Sequence, residues 1–133
     1  MVLFSIVMLQ KPPYPELSTE ALQLVAERFR LLAEPVRLRI LQLLRNGEKN
    51  VTELTTQLAT TQPNASKHLR LLQEAGFIGR RQAGTSVYYF VTDASVFELC
   101  DVVCISLYAR MSAQARLLEE SAPGPLSRSR RGR

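Results

Sequence analysis

The sequence predicts a mainly α-helical fold with one β-hairpin, in the order helix, helix, helix, helix, hairpin, helix. Three observations carry that prediction. Apolar residues recur at helical spacing up to Ala75, then alternate with a period near 2 from Phe77 to Val91. Two helical segments meet across a short gap at Thr60, which suits a helix that props the next one. An amphipathic stretch of roughly 26 residues follows the hairpin and spans about 39 Å at the helical rise. With 133 residues, 46% of them hydrophobic, the chain suffices for one domain with a modest core.

Residues 1–17 read as an apolar arm, MVLFSIVMLQ, followed by a proline-rich linker, KPPYPEL. The arm is about half the roughly 20 residues that a bilayer span requires. It also lacks the basic start and the small-residue cleavage site of a secretion signal. The expectation is a cytoplasmic protein with no membrane partner. The domain proper is expected over 18–120. Ser18 or Thr19 caps a first helix running to about Leu32, with Leu22, Val25, Ala26, Phe29 and Leu32 as its apolar stripe. Glu34 and Pro35 mark a break, because proline fits a helix's first turn but not its interior. The second helix, EPVRLRILQLLRNG, is apolar on more than one side and is expected to be central and buried; Gly47 ends it. The third, TELTTQLA from Thr52, offers Leu54 and Leu58 as a core pair one turn apart.

The fourth helix follows from TQPNASKHLRLLQEAG. Thr61 is its N-cap, Pro63 sits in its first turn, Ala65, Leu69, Leu72 and Ala75 face the core, and Gly76 ends it. FIGRR, QAGT and SVYYFV then form the hairpin, with Gly84 supplying the turn. Asp93 caps a last helix from about Ala94 to Glu119, and Phe97, Cys100, Cys104, Leu107, Met111 and Leu118 lie along one seam. A terminal helix of this length and patterning usually finds a second chain. A dimer is therefore expected, through Leu22, Val25 and Phe29 of the first helix and Phe97, Cys100, Cys104, Leu107 and Met111 of the last. Residues 121–133, SAPGPLSRSRRGR, read as a disordered basic tail.

The outward face of the fourth helix carries Gln62, Asn64, Ser66, Lys67, His68 and Arg70, and no carboxylate before Glu74. Amides and hydroxyls at a helix start can bond base edges, and cations further along can meet phosphates. Taken alone, that face equally fits a solvated amphipathic helix. The hairpin, with Arg80 and Arg81 near its tip, changes the balance: helix-turn-helix and basic ribbon together make a winged helix-turn-helix with a β-hairpin wing, a double-stranded DNA binder. Net charge is +5, but Arg128, Arg130, Arg131 and Arg133 supply most of it. Taking those four from the 17 basic residues leaves 13 against 12 acidic ones, so a DNA surface must come from local clustering. The sequence has no glycine-rich phosphate loop. Its single histidine lies near Ser66 without a third group to orient it, so no enzyme is expected.

LAEPVRLRILQLL, VTELTTQLATTQPNASKHLRLLQEAGFI and GRRQAGTSVYYFV, in that order and spacing, resemble the ArsR/SmtB-type winged-helix repressors of bacteria. The resemblance covers about residues 29–91. It implies a homodimer on an inverted-repeat operator that loosens when an effector binds. It places Gln62, Asn64 and Ser66 at base edges and Lys67, His68 and Arg70 at phosphates or the groove rim, with Thr61 at the start of the same DNA-binding helix. It sets Arg80, Arg81, Gln82 and Thr85 of the wing at the backbone or minor groove. Tyr88 and Tyr89 read as wing packing, with Tyr88 also a candidate DNA contact.

The effector is less constrained. One metal-sensing type in this family carries cysteines in an ELCxC context of the third helix; here that stretch is ELTTQL. Another needs histidines on the last helix, and this chain has none there. Cys100 and Cys104 are one turn apart on one face. They fit a trivalent arsenical, a soft metal shared across a dimer, or reactive sulfur or oxidant chemistry. They equally fit apolar packing, since a thiol behaves as a small hydrophobe. Two further readings stay open: a regulator with no effector, and a winged-helix protein-interaction module without sequence readout.

Overall fold

The computed structural model describes residues 16–121, so the apolar arm and the arginine tail of the sequence reading lie outside the described residues. The elements run α1 Thr19–Leu32, α2 Pro35–Leu44, β1 Lys49–Asn50, α3 Val51–Leu58, α4 Gln62–Glu74, β2 Ile78–Ala83, β3 Ser86–Val91 and α5 Ser95–Ser121. They fall into two compact units, one ending at Thr92 and one beginning at Asp93.

Each helix of the first unit starts at a side chain that accepts from an otherwise unpaired first-turn amide. Ser18 accepts from Ala21, Glu34 from Arg37, Asn50 from Glu53 and Thr61 from Asn64. Asn50 replaces the expected start of α3 at Thr52. It bonds Glu53 in both directions, accepting from its amide at 2.8 Å and donating to its carboxylate at 3.1 Å. α3 ends on Ala59 in the left-handed region, φ 50°, which turns the chain sharply towards Thr61 and α4. An L residue with a Cβ holds this conformation at a cost of roughly 1–2 kcal/mol.

The core of this unit joins Ile40, Leu41 and Leu44 of α2, Leu54 of α3, and Ala65, Leu69 and Leu72 of α4, with Leu32, Phe77 and Ile78. α2 is central as expected but not buried all round, because Leu38 is 40% exposed. The α1 stripe behaves differently from a core stripe: Leu32 is buried, while Leu22, Val25 and Phe29 are exposed.

The wing is a three-stranded antiparallel sheet in the order β1-β3-β2, one strand more than the sequence predicted. β1 pairs Lys49 with Tyr89 and Asn50 with Tyr88. β2 pairs with β3 from Ile78–Val91 to Ala83–Ser86, leaving a two-residue loop of Gly84 and Thr85. Gly84 has φ 61° and Thr85 does not share that region, the pattern of a primed hairpin turn whose twist matches its strands. The turn is therefore tighter than QAGT, and Arg80 and Arg81 stand mid-strand opposite Tyr89 and Tyr88. Thr92 closes the sheet onto the end of α4, its amide donating to Phe77 O at 3.0 Å and its hydroxyl to Gly76 O at 2.8 Å.

The second unit is α5, 27 residues long. Asp93 accepts from the Ser95 amide at 3.1 Å at its start. Phe97 and Cys100 are half-buried. Val103, Leu107, Tyr108, Met111 and Leu118 are exposed. Among the described residues no helix is long and apolar enough to cross a membrane.

Candidate nucleic-acid interface

α4 divides its residues by helical geometry. Positions 65, 68, 69 and 72 fall on one stripe and are buried. Gln62, Ser66, Lys67 and Arg70 fall opposite and are exposed, as is the capping Thr61. Asn64 is half-buried, its amide donating to the Thr60 hydroxyl at 2.9 Å. Arg70 approaches Glu74 at 3.8 Å, a solvent-exposed pair one turn apart that contributes little. The result is a rigid rod with polar groups along one side and its other side fixed in the core.

His68 is a correction to the sequence reading. It is 8% exposed and belongs to the buried stripe, so it does not stand at the phosphates. Its Nδ1 lies 3.5 Å from an Arg37 guanidinium nitrogen and 3.8 Å from Glu34 Oε2. Arg37 Nε donates to Leu31 O at 2.6 Å. The helical spacing from Ala65 and to Leu72 already placed position 68 inside; the polarity of imidazole argued outward and was the wrong guide.

Arg81 has a partner that the sequence did not point to. Its Nε donates to Glu48 Oε2 at 2.9 Å, and its NH2 group donates to the other carboxylate oxygen. The same guanidinium lies over the Tyr88 ring, 4.8 Å from its centroid. The hydrogen bonds between Arg81 and Glu48 hold the Glu48 carboxyl below the usual carboxylate range and raise Arg81 above its ordinary value. Arg81 thus remains exposed while paired with Glu48, and Tyr88 is half-buried beneath its guanidinium. Arg80, Gln82 and Thr85 are exposed, and Gln82 donates to Gly84 O at 3.4 Å within the wing.

The far end of α4 is also secured. Arg28 of α1 donates to Ala75 O at 3.0 Å, where a cation meets the negative end of the helix dipole, and it covers the Phe77 ring at 4.2 Å. Arg37, Glu48 and Arg28 were not singled out in the sequence, and Glu34 only as a helix break. Their partners lie 31 to 47 residues away, beyond any local pattern.

On α5, Cys100 is half-buried and Cys104 exposed, and neither is in a disulfide. Among the described residues no three His, Cys, Asp or Glu side chains gather as a metal site.

A helix braced at both ends, polar on its open side and flanked by a basic three-stranded wing defines a winged helix-turn-helix DNA-binding protein. Residues 32–81 match a family model described as a helix-turn-helix domain. The chain is 36% identical over 85 residues to an HTH-type transcriptional regulator of Methanocaldococcus jannaschii, covering 63% of this chain and 96% of the relative. The crystal structure of Rv0081 of M. tuberculosis superposes with a TM-score of 0.68 at 31% identity, covering 74% of this chain and 99% of that one. The solution structure of Mb0332 (fragment 1–100) from Mycobacterium bovis is described as a homodimeric winged helix-turn-helix DNA-binding domain and a possible ArsR-family regulator. It has a TM-score of 0.60 at 29% identity, covering 73% of this chain and 90% of that one. The chain belongs to the ArsR/SmtB family of winged helix-turn-helix transcriptional regulators. It is a DNA-binding regulator and not an enzyme.

Proposed function

We propose that the protein is a homodimeric repressor that reads an inverted-repeat operator in the cytoplasm through α4. The observation that carries this reading is the segregation along α4. Gln62, Ser66 and Arg70 are exposed at successive turns beside Lys67, while Ala65, Leu69 and Leu72 are buried. Gln62 and Ser66, near the positive end of the helix, are suited to base edges, with Thr61 and Asn64 beside them. Lys67 and Arg70 are suited to phosphates, and Arg80, Gln82 and Thr85 to the adjoining backbone. Dimerisation is supported by apolar side chains left open on α5, including Leu107 and Met111 at 53% and 65% exposure, and on α1 by Leu22, Val25 and Phe29.

Selection from a random-sequence DNA library, followed by fluorescence anisotropy on the enriched sequence, tests the reading. A palindromic sequence bound by two chains is expected. Gln62→Ala should lose about 1–3 kcal/mol on that sequence and little on random DNA, as for a lost base contact. An unenriched library, or a Gln62→Ala/Ser66→Ala variant with unchanged preference, excludes it.

Cys100 and Cys104 are proposed as the effector site, because Cys104 is exposed one turn from Cys100 on a face that also carries the open apolar residues. Two thiols one turn apart suit a trivalent arsenical, or half of a soft-metal site that a second chain completes. The same titration with arsenite, cadmium, persulfide or peroxide should weaken operator binding tenfold or more, about 1.4 kcal/mol. A Cys100→Ser/Cys104→Ser variant should not respond. An equal response of both proteins would make the pair apolar packing.

A further inference from the structure

His68 is the single histidine of the chain, and it is buried on the helix assigned to reading DNA. The groups facing its ring come from two elements. The start of α2 supplies two charged groups. The Arg37 guanidinium is 3.5 Å from Nδ1, and Glu34 Oε2 is 3.8 Å from the same nitrogen. The end of α1 supplies the Leu31 carbonyl, which holds Arg37 through its Nε at 2.6 Å. Arginine has donors and no acceptor, so a hydrogen bond here requires Nδ1 to accept, which only the tautomer with its proton on Nε2 provides. Glu34 Oε2 is already engaged, accepting from the Arg37 amide at 3.0 Å as the N-cap of α2. Among the described residues no buried side-chain nitrogen or oxygen lacks a partner.

We propose that His68 is a positioning residue of α4, holding it against the start of α2 through Arg37 and Glu34, so that the charge of its ring sets how selectively α4 reads an operator. A proton arriving at Nδ1 puts a donor opposite a guanidinium and removes the acceptor that Arg37 uses. The nearest replacement is Glu34 Oε2, the oxygen that caps α2. That oxygen can accept from the ring and the Arg37 amide together, but the charged ring gains it only by closing a 3.8 Å gap, which draws α4 towards the start of α2. A shift that brings a 3.8 Å contact to hydrogen-bond length matters for hydrogen bonds to base edges, which weaken steeply when misaligned.

This inference rests on the operator reading proposed above, and the test separates the two. The full chain is used. Nitrogen-detected NMR of the single imidazole, near pH 8, reports which ring nitrogen carries the proton. The ratio of operator to random-DNA affinity is then measured at about pH 8 and about pH 5.5, a span over which imidazoles change charge. It is measured for the wild type, His68→Asn, whose amide oxygen replaces the Nδ1 acceptor without titrating, and His68→Leu.

The expected result is an Nε2–H tautomer and a ratio that falls about tenfold on acidification in the wild type, or about 1.4 kcal/mol. His68→Asn should hold a constant ratio, and His68→Leu a reduced ratio at both values. A proton on Nδ1 near pH 8 overturns the inference, and so does a wild-type ratio that falls no further than that of His68→Asn. If the wild type enriches no sequence at all, the operator reading fails and takes the inference with it. If an operator is found but its selectivity ignores pH, the inference alone falls.

Discussion

Arg81 grips both carboxylate oxygens of Glu48 while lying across the ring of Tyr88, so the middle of the wing is fastened to the residue just before β1. On the proposed reading, Glu48 competes with DNA phosphates for the Arg81 guanidinium. Glu48→Gln is expected to strengthen binding to random DNA and to steepen its salt dependence by about one unit of slope, since one more phosphate contact is gained. Arg81→Ala should change the slope by less. Anisotropy titrations across a salt series distinguish the two variants.

The same pair predicts an acid sensitivity of the wing. Glu48 has a folded-state pKa lowered from its ordinary 4.5 by the Arg81 hydrogen bond. A lowered carboxyl contributes stability above its unfolded value and loses it as pH falls through the folded one. The contribution is thus intact at neutral pH and disappears only below 4.5. It should also weaken with salt, because both partners are solvent-accessible. The protection of β1 and β2 amides against exchange, relative to the intrinsic rate at each pH, should fall in that acidic range in the wild type and less so in Glu48→Gln.

Gly79 stands opposite Phe90 in the β2–β3 ladder, and a Cβ there would lie 2.7 Å from the Phe90 Cζ. The ring occupies the space a side chain would need. Gly79→Ala should cost about 1–3 kcal/mol of stability, as overpacking does. Gly79→Ala/Phe90→Leu should recover part of that loss. Thermal unfolding of the two variants checks both statements.

Thr61 has a role that does not depend on DNA. Its hydroxyl accepts from the Asn64 amide at 3.3 Å. Thr61→Ala should lower stability by about 1 kcal/mol, and Thr61→Ser should keep most of it. Denaturant unfolding without DNA isolates this from any contact that Thr61 makes to a phosphate.

The open face of α5 predicts the association state. Leu107→Glu/Met111→Glu places charge on side chains that are 53% and 65% exposed in the single chain. Sedimentation should show two chains for the wild type and one for the variant, with the helical content of the chain retained. A wild type that sediments as one chain at high concentration would exclude the dimer.

Much of this architecture was legible in the sequence because it rests on local rules. Ser18, Pro35, Thr61 and Gly84 act where capping and turn chemistry place them, and the change of period at Phe77 marks the wing. β1 was not legible: a two-residue strand carries no alternation, and its identity comes from Tyr88 and Tyr89 opposite it. Asn50 as the cap of α3 was hidden by the threonines after it. In the site, the polar face of α4 was readable as a pattern, but the burial of His68 and the partner of Arg81 were not. His68 followed the helical period inward, and Arg81 found a carboxylate 33 residues away. Residue type states what a group can bond, and only the fold states which partner is near enough.

Among the described residues the strand order β1-β3-β2 leaves β2 with one unpaired margin six residues long. Such a margin is a template on which another ribbon can grow, and copies of a regulator crowded on neighbouring DNA sites would meet it often. Consecutive arginines at 80 and 81 make that growth unfavourable, since a second identical strand would bring like charges together. The basic character of the wing therefore also guards against aggregation, and neutralising it would endanger solubility before it altered any contact with a phosphate.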